Sequence, residues 1–571
     1  MARALAWAAV AGLFVVATLV ALRPIWRLGG DHLTDSLGDP LFNLWVLKWG
    51  VHQIRLGLPD VWNANNFYPN PGTLTFSDHL LGPAAQLALF LEAVPNAIAG
   101  YNVLLFTSFV ASALATAWVV RQGGRSWAAA VLAGWMFAFS PFRLSQVGHL
   151  QLMIAQWIPL TLWFWDRLLA ERRAKHALLF LFFYLLNLTG GCYLAYMIHF
   201  PLLALLASRA ASEGRALVSP RSLRVLAPVA LVAAVAAGVL FLPYARISRA
   251  QRLTRTTEEV ERYGATLVSY FQPAPQSLYF TPVRNRLRPL LGLERVRRPH
   301  LGERSLFAGF LPTLLFVLGA VTAWRRRRDG PPDPWTRGLA LSGALCFALS
   351  FAAIYGPLMR VVPGLAGMRV PARFYFFTSF TLAWFAACGF DVLLQRLRGP
   401  RARAALATAL VLLVAAELTP RRLPWAALPR EEQIPDAYRW IARETSVKAL
   451  IELPIHGDVS EARYLYNSTV HWKPIANGFS GYEPPSHHVL VERIHFLPEQ
   501  DGFELLREAW ITHLVVHAPN PRKEEMLRHW EERFATGPER QVERVYQSGE
   551  ISIYRLLDAP ASSSTPNRAG W

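Results

Sequence analysis

The sequence predicts an α-helical polytopic membrane protein of about eleven spans plus a re-entrant helix, with a small C-terminal α/β domain outside the cytoplasm. Three observations predict it. Apolar residues make up 53% of the 571 residues and charged residues only 17%, below the roughly 25% of soluble domains. The apolar residues fall in long runs separated by short arginine-rich stretches, the pattern of membrane spans rather than of one large core. After about residue 420 the runs shorten to strand length.

The net charge of +19 would suit nucleic acid, but its distribution excludes that partner. Much of the excess sits in short loops between apolar runs: Arg121 and Arg125; Arg167, Arg172, Arg173 and Lys175; Arg325 to Arg328; Arg396 to Arg403. Short basic loops mark the cytoplasmic side. Cys192, Cys346 and Cys388 lie in or at the edge of apolar runs, so no disulfide framework or cysteine metal site is readable.

The first span is expected at 4–22. No small-residue cleavage site follows it, so it reads as an uncleaved span rather than a signal peptide. A polar outer loop, 23–79, comes next. The run 80–95 is short and begins with Gly82-Pro83. A full crossing there would invert every later basic loop, so it reads as re-entrant or interfacial. Spans follow near 101–121, 127–141, 150–167, 176–189, 191–207 and 224–243. After a second long outer loop, 244–303, come spans near 305–323, 337–354, 371–395 and 403–419. This places the N-terminus inside and the C-terminus outside. The expected division is a transmembrane domain over 1–420, a soluble domain over 421–558 and a disordered Ser/Pro/Ala-rich tail over 559–571.

Within the soluble domain, Ala449–Leu453, Thr512–Val516 and Ile551–Leu556 read as strands. Helical stretches near 435–444, 459–468, 500–509 and 521–534 alternate with them, which gives an α/β fold.

Candidate chemistry concentrates outside the spans. The first outer loop carries Asp31, His32, Asp35 and Asp39, runs through an amphipathic stretch, and closes on Asp78 and His79. Carboxylates held at an apolar boundary lose hydration, which suits them to proton transfer. The structural reading stands beside this one. Asp39-Pro40 looks like a helix start with Asp as cap, and Ser77-Asp78 would cap a helix beginning near His79. His149 sits at a span end, where it would bond either a substrate phosphate or sugar, or neighbouring backbone. Arg369 and Arg373 lie on the outer side against the positive-inside bias; they would bind a phosphate or snorkel at the interface. They share one helical face if the helix begins before Pro371. Arg246, Arg249, Arg252, Arg255, Arg284, Arg286 and Arg288 make the second outer loop basic, and Glu303 stands just before a span. In the soluble domain, His471-Trp472-Lys473-Pro474 and the Gly/Pro/aromatic stretch Asn477 to His488 suit either sugar binding or packing.

The ensemble resembles the GT-C superfamily of membrane glycosyltransferases, which includes the protein O-mannosyltransferases and the aminoarabinose transferase acting on lipid A. Asp35 and Asp39 sit where the acidic residue of that family's first outer loop is expected, and Ser140-Pro141 to His149 resembles its second outer loop. Gly38-Asp39-Pro40, Phe76-Ser77-Asp78-His79, Met368 to Phe374 and Ser468-Thr469-Val470-His471-Trp472 look like segments of bacterial membrane proteins of the YfhO-like and RgtA-like kind. The resemblance implies a multi-pass protein of the bacterial inner membrane. It implies a polyprenyl-phosphate sugar as donor, a cell-envelope acceptor, membrane lipids as surroundings and inversion at the anomeric carbon. Asp39, or Asp35 next, would be the catalytic base. Asp78, His79, His149, Glu303, Arg369 and Arg373 would bind substrate. Two departures matter: there is no Asp-Glu pair of the O-mannosyltransferase kind, and no clear Asp-x-Asp. No cofactor is fixed by the motifs, no metal-ligating residue is named, and a divalent metal stays open. The alternative is a non-catalytic transporter or assembly partner for lipid-linked saccharides, which needs phosphate-binding arginines but no positioned base.

Overall fold

The computed structural model describes residues 1–282, 302–325 and 333–557. Arg284, Arg286, Arg288, Arg326 to Arg328 and the tail 559–571 lie outside the described residues. By contacts the chain forms two compact units. Among the described residues, one comprises 1–29, 102–242 and those within 254–424; the other comprises 30–101, 243–253 and 425–557.

Among the described residues, six helices are long and apolar enough to cross a membrane: Arg3–Ala21, Ala97–Gln122, Trp127–Ser145, Cys192–Val218, Pro220–Ala250 and Pro371–Gln395. Ala174–Leu188 and Phe310–Arg325 are apolar but shorter. Helix Pro220–Ala250 exposes Leu231, Val232, Val235, Val239 and Leu242. A row of that kind is stable only against lipid or a partner surface. The chain is thus a multi-pass membrane protein.

Two expected spans are interrupted. The run 150–167 splits into Leu150–Met153 and Ile158–Glu171. Pro159 stands in the first turn of the second piece, where its missing N–H costs nothing. The run 337–354 breaks between Pro334–Leu349 and Ala352–Leu358. Leu81–Ala93 has 13 residues, about 20 Å of helix, too short for a hydrocarbon core of about 30 Å.

In the first unit, helices Phe310–Arg325 and Tyr375–Gln395 touch backbone to backbone. A Cβ at Gly319 would lie 1.9 Å from the Phe385 carbonyl oxygen, and one at Gly389 would lie 2.1 Å from that of Leu315. Only glycine fits at both places, and small residues are what let helices approach where lipid supplies no hydrophobic drive. One buried ion pair lies among this unit's helices: Arg209 holds the fully buried Asp166 through two hydrogen bonds of 2.7 Å.

The second unit is built on a four-stranded sheet of order β3-β4-β6-β5, where β3 is Leu450–Leu453, β4 His513–His517, β5 Val542–Ser548 and β6 Ile551–Leu556. β3 and β4 are parallel and the other pairs antiparallel. The first long loop belongs to this unit. The Ile475 N–H donates to the Asn65 carbonyl, and the N–H groups of Phe67 and Tyr68 donate to the carbonyls of Asn477 and Ile475. Ile475 in turn bridges to Leu450 of β3. A second, two-stranded sheet pairs β1, His32–Thr34, with β2, Trp425–Ala427.

Helix Asp39–Arg55, expected to be amphipathic, buries every residue from Pro40 to Val51. The reason is its packing within this unit, against helix Leu81–Ala93 and helix Glu461–Ser468.

A polar network lies inside this unit. Glu452, Glu461 and Asn477 are fully buried. The Asn477 amide oxygen accepts the Glu452 N–H at 2.6 Å, and its NH₂ donates to Glu461 at 3.1 Å. Glu461 also accepts the N–H groups of His456 and Gly478. Burial still prevails and pushes its carboxyl from 4.5 up to about 7. A carboxyl raised on folding keeps its proton only in the folded state between the two values. Its contribution is full below about 4.5 and is lost as pH rises through about 7. The thermal midpoint of the full chain in detergent should therefore fall across that window, and Glu461→Gln should flatten the slope. An unchanged slope in the variant would show that another group titrates.

Candidate functional site

The first unit gathers four of the residues singled out from the sequence. Glu303 is carried on a strap whose Leu306 and Phe307 N–H groups donate to the carbonyls of Ser269 and Gln272, while the Ser145 hydroxyl donates to the Gly302 carbonyl. This sets Glu303 beside the loop that contains His149. Arg373 comes from the short turn Pro371–Phe374 that leads into helix Tyr375–Gln395. Its guanidinium donates to Glu303 Oε1 at 2.7 Å, and both side chains are almost wholly buried.

The helix begins only at Tyr375, so Arg369 and Arg373 do not share a helical face. They meet through Tyr193 instead. Its hydroxyl accepts the Arg369 N–H at 3.2 Å, and its ring lies 4.6 Å under the Arg373 guanidinium. The Arg369 guanidinium sits over the Tyr263 ring. Burial pushes the Glu303 carboxyl up, but the charges of Arg373, His149 and Arg369 outweigh it and hold the group below its usual range. Two guanidiniums and an imidazole thus face one carboxylate. Oε2 of that carboxylate is buried with no hydrogen-bond partner among the described residues. The excess is positive and forked, which suits a phosphate.

An apolar groove of about 510 Å³ runs between helices Phe310–Arg325, Pro334–Leu349 and Tyr375–Gln395. Leu306, three residues past Glu303, lines it, and so does Tyr270, whose ring is 5.9 Å from that of Tyr375. Ala320, Ala340, Gly343 and Ala344 keep it open by being small.

The aspartate candidates lie in the second unit. Asp31 accepts from His32 Nδ1 at 2.6 Å. Asp35 has φ 72°, a left-handed conformation that aspartate tolerates better than most residues. Asp39 stands in the first turn of helix Asp39–Arg55. The cap is Gly38, not Asp39, and no side chain bonds the cap position. A Cβ at Gly38 would lie 2.2 Å from Val459, so the helix start is fitted closely. Tyr101, fully buried, feels the charge of both Asp39 and Asp35, and its hydroxyl has no hydrogen-bond partner among the described residues. Asp78 and His79 are buried. The helix after them starts at Leu81, and it is His79 Nδ1, not Ser77 or Asp78, that accepts the Leu81 N–H, at 3.3 Å. The His79 ring meets Trp62 and Tyr244 edge-on.

Sequence reasoning missed Tyr193 and Tyr101. Each lies at the edge of an apolar run, where a tyrosine is usual and draws no notice. Among the described residues no three His, Cys, Asp or Glu side chains converge as metal ligands.

The structure is similar to that of the oligosaccharyltransferase AglB from Archaeoglobus fulgidus in complex with an inhibitory peptide and a dolichol-phosphate. The TM-score is 0.50 at 13% identity, covering 90% of this chain and 69% of that one. A second structure of the A. fulgidus oligosaccharyltransferase, tethered to an acceptor peptide with an NVT sequon, gives 0.49 at 12% identity with the same coverage. Apo ArnT from Cupriavidus metallidurans gives 0.44 at 13% identity, covering 95% and 97%. No curated protein matches the chain in sequence. The fold is that of the AglB structure. The chain belongs to the family described as a domain of unknown function, DUF6311, whose model matches residues 4–419.

Breaking a buried ion pair strands a charge, at a cost of about 3–5 kcal/mol. Glu303→Gln and Arg373→Gln should each lower the thermal midpoint in detergent, and the double variant should recover part of the loss. Additive losses would show that the two groups are not coupled.

Proposed function

We propose that the chain is a membrane glycosyltransferase that moves a sugar from a polyprenyl-phosphate donor to an extracytoplasmic acceptor (a glycan, lipid or protein), with inversion. The observation that carries this reading is the Glu303–Arg373 pair, with Arg369 and His149 beside it, next to an apolar groove. A charged cluster adjoining an apolar channel matches an amphiphile with a phosphate head and a hydrocarbon tail. The GT-C fold supports the same reading, as do the AglB neighbour's bound dolichol-phosphate and peptide. We place the protein in the bacterial inner membrane, with the N-terminus inside and residues 421–558 outside as a soluble domain.

The acceptor hydroxyl attacks the anomeric carbon, the bond from that carbon to phosphate oxygen breaks, and the phosphate leaves with the electron pair. We assign Arg373 and Arg369 to hold that leaving phosphate, with His149 a lesser contributor. Glu303 positions Arg373. We assign the proton of the acceptor hydroxyl to Asp39, with Asp35 the next candidate. Asp78 and His79 are assigned to substrate binding. A lipid-saccharide transporter would share the arginines and the groove, but it would have no use for a base.

Transfer of radiolabelled sugar from polyprenyl-phosphate donors to cell-envelope extract separates the two. Asp39→Asn should lower turnover by roughly 10²–10⁴-fold with the fold intact, and Arg373→Ala should also weaken donor binding. Full activity in Asp39→Asn would move the base to Asp35. No transfer from any donor, with tight lipid-phosphate binding, would favour the transporter.

A further inference from the structure

The second unit contains a half-polar cavity that the reading above does not use. It measures about 510 Å³, inside the roughly 300–1,000 Å³ range of small-molecule sites. Lys48, His52 and Arg55 of helix Asp39–Arg55 form one wall, Trp472 another, and Glu431 and Glu432 the rim.

Two of these side chains sit where folding alone would not put them. Trp472 has φ 56°. It is the residue on which the chain leaves helix Glu461–Ser468, its N–H bonded to the Ser468 carbonyl at 2.8 Å. Helices end in this left-handed conformation on glycine, because a Cβ is strained there. The strain holds the indole against the cavity, stacked on the His52 ring at 4.6 Å and 18°, with Trp49 at 5.7 Å. Lys48 is the second. It is 9% exposed, donates to Glu431 at 2.8 Å and Thr469 at 2.6 Å, and lies over the Tyr466 ring. Bulky residues in left-handed backbone and buried lysines both concentrate at working sites.

Charge narrows the ligand class. Lys48, Arg55 and Arg439 line the cavity together with Glu431 and Glu432. Arg439 ties down the rim through the carbonyls of Glu431, Glu432 and Ile434. An anionic ligand would meet the two carboxylates, and a cationic one would meet the three cations. Vicinal hydroxyls satisfy both, since each donates to a carboxylate and accepts from an ammonium or guanidinium. The apolar C–H face of a sugar ring complements a flat indole.

We propose that this cavity binds a neutral saccharide of one or two rings, with Trp472 as its stacking platform. On the glycosyltransferase reading, that saccharide is the acceptor; the binding itself does not depend on that reading. The test is equilibrium binding to the full chain in lipid nanodiscs, by saturation-transfer NMR and calorimetry. The probes are cellobiose, maltose, mannobiose and diacetylchitobiose, with glucuronic acid and glucosamine as charged controls. Wild type should bind at least one neutral disaccharide saturably, whether or not it transfers sugar. Trp472→Gly should bind roughly tenfold more weakly or worse, with the thermal midpoint showing whether the variant is folded. Glu432→Gln, at an exposed position, should also weaken binding and serves if the glycine variant misfolds. Unchanged affinity in Trp472→Gly and Glu432→Gln would overturn the proposal. So would saturable binding confined to a charged control, or no binding of any neutral probe.

Discussion

Gly319 and Gly389 let two membrane helices meet backbone to backbone, and the organisation of the first unit follows from that contact. Glu303 stands shortly before one of these helices and Arg373 shortly before the other, so both leave from the same buried ion pair. A buried pair of this kind does little for net stability, because desolvating two charges offsets their attraction. Its value is positional. With the helices locked by the glycines, the guanidinium cannot relax toward water, and the Tyr193 ring closes one side of it. Leu306, three residues past Glu303, lines the groove, and Ala320, Ala340, Gly343 and Ala344 leave space in it that larger residues would fill.

The second unit solves a different problem. It buries two carboxylates, Glu452 and Glu461, and the Asn477 amide ties the Glu452 backbone, through its N–H and carbonyl, to the Glu461 carboxylate. The Tyr438 hydroxyl donates to Glu452 at 2.5 Å, and His517 Nε2 lies 2.8 Å from the same oxygen. Networks of this sort specify one arrangement of a core, even though Glu452 Oε1 is buried with no hydrogen-bond partner among the described residues. The network also explains why Asn477-Gly478 packs so tightly. A Cβ at Gly478 would run into the Phe67 ring at 2.2 Å, and that ring also meets buried His487 edge-on. Burial lowers the His487 imidazole to about 4, so it stays neutral. Of the two roles open to the Asn477–His488 stretch, packing accounts for these residues.

Periodicity and local chemistry made much of this visible in advance. The strand Ile551–Leu556 and the helix Pro521–Phe534 lie where alternation and helical spacing put them. Strand β5 and helix Pro485–Arg493 escaped notice, the first because its Glu543, Arg544 and Gln547 face solvent at a sheet edge, the second because it opens on Pro and His residues. Glu303, His149, Arg369 and Arg373 were legible as charges in the wrong place, each near an apolar boundary. Their convergence was not, because four distant segments supply them and no local spacing encodes that. Lys48 was illegible for the opposite reason. A lysine in a helix reads as solvated, and only the packing of two other helices against Asp39–Arg55 buries it.

The pairing of β1 with β2 has a consequence in time. His32–Thr34 emerges early in synthesis, and its partner Trp425–Ala427 emerges only after every membrane helix has been made. Until then the early strand is an open edge, and so is the 65–68 segment that awaits 475–477. During its own biogenesis the chain thus carries an unfinished surface for most of its translation. Only synthesis of its last quarter supplies the strands that close it.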